Sequence, residues 1–129
     1  MKLISKLKDF FALKVTSASV ATNSDGLLIV ENNNSKLLFK WQTVKEIFVY
    51  KHDCFAIDLI CIGFRIDEEG TYFEINEKID GYKQMIAYLE LNFQGIDTNW
   101  FLKVAFPPFA TNTLTIWGDS KIPKLWEKT

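Results

Sequence analysis

The sequence predicts an α+β fold, an antiparallel meander sheet with one helix packed across it, and three observations carry that expectation. Segments rich in β-branched and aromatic residues recur over 16–76, separated by turn-forming residues. One amphipathic helical pattern follows over 80–93. A content of 48% hydrophobic residues in 129 is enough for a single core, so 1–129 reads as one domain.

The elements follow in order. Over 1–13, Leu3, Ile4, Leu7, Phe10 and Phe11 recur at helical spacing while Lys2, Lys6, Lys8 and Asp9 take the other side, predicting a short amphipathic helix. The meander over 16–76 has its strands at 16–22, 27–31, 36–40, 44–51, 57–66 and 71–76. Asp25-Gly26 suits the positive φ angles of a two-residue hairpin, Asn32 to Ser35 tolerates left-handed conformations, and Glu68 to Gly70 puts a glycine at a third tip. Thr43 and Glu46 form a capping-box pattern that would start a helix. The run Ile47-Phe48-Val49-Tyr50 prefers strand, and strand is expected there.

Asp80 is expected to cap the helix of 80–93, whose Tyr82, Met85, Ile86, Leu89 and Phe93 share one face, and Gly95 to end it in a left-handed conformation. The extension over 97–117 holds a helical turn within 97–104, a break at Pro107-Pro108 and a strand over 112–117. The tail 119–129 is polar, with Lys121, Lys124 and Lys128, and frays unless Trp126 docks. The sequence contains no repeat, no linker and no low-complexity tract.

Composition excludes several function classes. Fifteen basic against 16 acidic residues give a net charge of -1, without the positive surplus on which non-specific nucleic-acid binding rests. Two cysteines and one histidine are too few for a disulfide scaffold and barely enough for zinc, so a reducing cytoplasm is the expected compartment. Lysines interrupt the N-terminal apolar stretch, against a signal peptide, and no apolar run approaches the roughly 20 residues that span a bilayer.

The candidate chemistry is sparse. His52, Asp53, Cys54 and Asp58 lie close in sequence and invite a nucleophile–imidazole–carboxylate reading. Polar and turn-forming residues belong at a strand connection anyway, and that reading is much the stronger. No catalytic residue, metal ligand or cofactor is assigned. Cys61, within Leu59-Ile60-Cys61-Ile62, reads as a small buried hydrophobe.

Asp67, Glu68, Glu69, Glu74, Glu77 and Asp80 suggest an acidic patch able to steer a basic partner, with Glu74 and Glu77 as the contact candidates. Among the aromatics, Trp100, Phe101, Phe106 and Phe109 flank a proline-broken segment that would run along the surface, and they are the candidate apolar contacts. The N-terminal helix could lie on an anionic membrane, but packing on its own domain is favoured.

Phe39-Lys40-Trp41 leading into Val44 and Ile47 resembles bacterial pleckstrin-homology-like domains over Gly26 to Phe93, which implies a bent antiparallel sheet closed at one end by the helix. A longer string runs through Trp41, Val44, Ile47, Tyr50-Lys51 and Asp53, then Asp58-Leu59-Ile60-Cys61, Glu74, Glu77, Gly81-Tyr82, and finally Trp100 with Val104 to Ala110 and Asn112. It resembles small uncharacterised bacterial proteins, some of them immunity proteins of toxin systems. That resemblance implies a protein partner, a toxin that is bound and blocked without turnover. The near-neutral charge departs from the acidic balance common among inhibitors of nuclease toxins.

Overall fold

The computed structural model describes residues 12–16, 18–54, 57–105 and 113–127, with 53, 54 and 57 in backbone only. The fold is α+β. Its strands are β1 (Ala12–Lys14), β2 (Ser19–Thr22), β3 (Gly26–Glu31), β4 (Asn34–Lys40), β5 (Glu46–Cys54), β6 (Ile57–Arg65), β7 (Tyr72–Asn76) and β8 (Thr113–Gly118). The helices are α1 (Tyr82–Asn92), α2 (Trp100–Ala105) and α3 (Ile122–Glu127).

The expected single meander is broken into two sheets. One is the antiparallel meander β2-β3-β4, and the other has the order β1-β7-β6-β5-β8. The break falls at a 3₁₀ turn, Trp41–Thr43, so the capping-box segment starts no α-helix and β5 begins at Glu46. The reason lies in the strand sequences. Ile47 to Tyr50 and Leu59 to Phe64 are apolar on both faces, and a sheet of that composition must be covered on both sides. On one face Ile47, Val49, Ile62 and Phe64 meet Leu27 and Phe39 of the small sheet, Met85 and Leu89 of α1, and Val104 of α2. On the other, Phe48, Tyr50, Cys61 and Tyr72 are covered by Ile122, Leu125 and Trp126 of α3. The tail is therefore a docked helix, held by Trp126 at 5.0 Å from the Tyr50 ring and 5.4 Å from that of Phe48.

Several turns depart from the sequence reading. Asp25-Gly26 does not form the two-residue hairpin. The Asn23 side chain accepts the amides of Asp25 and Gly26 at 2.8 and 3.0 Å and turns the chain by itself. Gly26 instead lies within β3, where a Cβ would stand 2.0 Å from the Phe39 carbonyl oxygen. Asn32 and Asn33 do take positive φ angles, 52° and 65°, at the next hairpin. Asp80 does not cap α1. That place goes to Gly81 at φ 92°, packed so closely on the Val20 carbonyl that a side chain would not fit. The helix ends at Asn92, with Gly95 at φ 82° in the turn beyond.

The N-terminal helix lies outside the described residues up to position 11. Residues 12 and 13 are strand, because β1 pairs in parallel with β7, Ala12 opposite Tyr72 and Lys14 opposite Glu74, and satisfies the backbone groups of that edge. The Pro107-Pro108 break also lies outside. Among the described residues no helix is long and apolar enough to cross a membrane.

One polar contact ties the second sheet to its cover. Glu46 and Arg65, neighbours across β5 and β6, are both wholly buried and paired at 2.8 Å. The Glu46 carboxylate also accepts the amides of Lys121 and Ile122, each at 3.1 Å, and the Thr115 hydroxyl at 2.6 Å. The same glutamate therefore neutralises an arginine and caps α3.

Candidate functional site

Alternation along the strands sorts the titratable residues of the second sheet. On β5, Phe48, Tyr50 and His52 point to the α3 face, while Val49 and Lys51 point to the main core. Asp58 sits opposite Asp53 in the β5–β6 register, on the Lys51 side, and its carboxylate lies 3.5 Å from the Lys51 ammonium. Lys51 also donates to the Ala105 carbonyl at 3.0 Å. The strand pleat thus separates Asp58 from His52, and the nucleophile–imidazole–carboxylate grouping suggested by sequence proximity does not form around that aspartate. The side chains of Asp53 and Cys54 lie outside the described residues.

A different group gathers on the α3 face. Glu74 of β7 reaches over β6 towards β5, with its Oε1 3.3 Å from His52 Nε2 and accepting the Tyr50 hydroxyl. Cys61 lies directly opposite Tyr50 in register. The ligand atoms of His52, Cys61 and Glu74 all fall within 4.8 Å of one another, so these residues are able to hold a metal ion. Burial pushes the Tyr50 phenol well above its ordinary range, and the charges of Tyr72 and Glu74 add to the effect. Burial also works upwards on Glu74, but the hydrogen bonds from His52 and Tyr50 outweigh it and hold the carboxyl below 4.5. The group is thus a carboxylate fixed by two donors, beside a buried thiol. Cys61 is buried as its apolar run suggested. The convergence on Glu74 went unseen because it depends on the β6–β7 register. Pairing Gly63 with Glu74, and hence Cys61 with Asn76, is the signal that would have exposed it.

The residues singled out for partner contact fare differently. Glu74 is 5% exposed and belongs to the buried group above, so it is no part of an acidic surface. Glu77 is exposed, but its Oε1 accepts the Ile60 amide at 3.0 Å. Trp100 is buried, because it shares the core-facing side of α2 with Val104, four residues on. Phe101 and the neighbouring Leu102 are 51% and 68% exposed and form the open side of α2. Phe101 rims a cleft of about 210 Å³ that includes Tyr82 and Ile86. Phe106 and Phe109 lie outside the described residues.

A second feature was not legible in the residue pattern. Trp41 from the 3₁₀ turn stacks on Tyr88 of α1 at 5.4 Å and meets Phe93 edge-on at 5.5 Å, and Phe93 meets Trp117 of β8 edge-on at 4.9 Å. These four half-buried rings line an open groove of about 520 Å³ whose rim carries the exposed amides of Gln42, Asn92 and Gln94. The Trp41 indole N–H donates to the Asn23 carbonyl at 2.8 Å, which fixes the central ring. Tyr88 lies off the apolar stripe of α1, and an aromatic residue at that position was the available signal. Comparison with protein-family models, with curated proteins and with solved structures gives no match for this chain.

Proposed function

We propose that this chain is a non-catalytic protein-binding domain, of the immunity type, that takes an extended, proline-bearing segment of its partner in the groove of Trp41, Tyr88, Phe93 and Trp117. The carrying observation is the ring geometry. Interplanar angles of 83° and 87° set neighbouring rings nearly perpendicular, so the groove wall offers aromatic faces and edges together, and such aromatic walls are the surfaces on which proline rings dock. A polyproline-type segment makes no hydrogen bonds of its own, so its carbonyls are available to the rim amides of Gln42, Asn92 and Gln94. Among the described residues no charged side chain lines the groove, which suits a neutral segment better than a basic or acidic one.

The partner class, a bacterial toxin blocked by occlusion, comes from the sequence resemblance. The finer fold reading, pleckstrin-homology-like, is supported by the succession of two three-stranded meanders and then a helix.

Peptides tiling the product of the adjacent gene test the reading when titrated into the intact protein with tryptophan fluorescence as the signal. A saturable change with proline-bearing peptides is expected, weakened at least tenfold by Trp117→Ala or Tyr88→Ala. Affinity unchanged in both variants, each melting like the parent, would refute it.

A further inference from the structure

We infer that His52, Cys61 and Glu74 form a zinc site on the α3 face of the second sheet, independent of the aromatic groove. Three kinds of donor, an imidazole nitrogen, a sulfur and a carboxylate oxygen, converge from three adjacent strands to within 4.8 Å. Tetrahedral zinc with bonds of about 2.0–2.3 Å sets its ligand atoms about 3.3–3.6 Å apart. The His52–Glu74 pair already stands at 3.3 Å, so closure needs a movement of the order of an ångström by the thiol.

The donor set selects the ion. Calcium and magnesium want oxygen cages, and one carboxylate among a thiol and an imidazole is the wrong chemistry for them. Binding exchanges the thiol proton of Cys61, released to solvent, for the metal, and the proton that His52 Nε2 shares with Glu74 shifts to Nδ1, so that the hydrogen bond between the two gives way to a metal bond from each. The resulting thiolate and the Glu74 carboxylate together cancel the charge of a divalent cation. The buried site is then neutral, and the cost of desolvating it is smallest in that state.

Access and support are both present. The His52 side chain is 26% exposed while the side chain of Glu74 is 7% exposed, so the ion enters at the histidine edge and three protein ligands leave a fourth position for water. Tyr50 donates to Glu74 and its ring meets His52 edge-on at 5.3 Å, the outer support that aims ligands at a metal.

The test is cobalt(II) substitution of the intact protein after chelator treatment. One equivalent is expected to bind with a thiolate-to-cobalt charge-transfer band and tetrahedral visible bands, all removed by one equivalent of zinc. Cys61→Ala abolishes the charge-transfer band, and Cys54→Ala leaves it intact. His52→Ala, at a partly exposed position that tolerates truncation, weakens zinc binding by more than about 100-fold, since even outer partners of metal ligands are worth about 10–100-fold. Tyr50→Phe weakens it by about tenfold. A folded parent without the charge-transfer band, a band that follows Cys54 instead of Cys61, or undiminished affinity in His52→Ala would overturn the assignment.

Discussion

Replacing Glu46 with Gln isolates the contribution of one buried charge. The amide is close in shape to the carboxylate, its oxygen can still accept from Arg65 and the amides of residues 121 and 122, and the Thr115 hydroxyl can rotate to accept from the new NH₂. What is lost is the negative charge facing Arg65, itself wholly buried. The nearest remaining carboxylate, Glu68, stands 3.6 Å away and is 56% exposed. Breaking a buried pair by removing one partner costs about 3–5 kcal/mol, and because the hydrogen bonds survive, the lower end, about 3 kcal/mol, applies here. Urea unfolding at neutral pH, followed by tryptophan fluorescence and far-ultraviolet dichroism, reads it directly. With a slope of about 1–3 kcal/mol per molar, the midpoint falls by roughly 1–3 M with the slope unchanged. A loss below about 1 kcal/mol would show that the pair does not anchor the second face.

Other perturbations have equally definite outcomes. Leu89 is 1% exposed against the main core, and Leu89→Asp places a carboxylate among apolar side chains, so scanning fluorimetry should show no cooperative transition; a native-like melt would count against the packing of α1. Gly63→Ala sets a Cβ 2.3 Å from the Phe48 ring, and the overpacking should cost about 1–3 kcal/mol, part of it recovered by adding Phe48→Leu; an unchanged melting temperature contradicts the contact. Asp67 titrates below 3.8: burial pushes its carboxyl up, but hydrogen bonds from Thr71, Gly70 and Glu69 outweigh it. The unfolded chain therefore binds the proton more readily, and the contribution of Asp67, present above 3.8, is lost as pH falls through the lower folded value. Denaturation midpoints at pH 7 and pH 3 should differ less in Asp67→Asn than in the parent, and an equal difference would remove the turn from the acid response.

The α+β class, most strands and the helix of 80–93 were readable because each rests on local periodicity. Tyr82, Met85 and Leu89 are buried as their spacing required, and β3 to β7 lie within a few residues of the expected segments. What failed was non-local. That β4 and β5 belong to different sheets depends on which neighbours cover Phe39 and Ile47, and no spacing rule encodes that. The Thr43–Glu46 pattern was sound as chemistry, since Glu46 does cap a helix. The helix is α3, reached through sheet register, and not the segment that follows Thr43. The candidate site shows the same division. His52 and Cys61 were both noticed, but their relation required Glu74, 22 residues from His52, and the alternation that turns Asp58 away.

The bond between Glu46 and the start of α3 spans 76 residues of sequence, and it orders events during synthesis. At about 5–20 residues per second, a ribosome that has made Glu46 needs roughly 4–15 s more to deliver Ile122. In the later part of that interval, once Tyr72 has been made, β5 and β6 can pair, yet Phe48, Tyr50 and Tyr72 have no lid and the Glu46–Arg65 pair faces water. The nascent chain therefore presents a sticky, half-finished face that a holding chaperone would recognise, and arrival of α3 is the latch that ends that exposure.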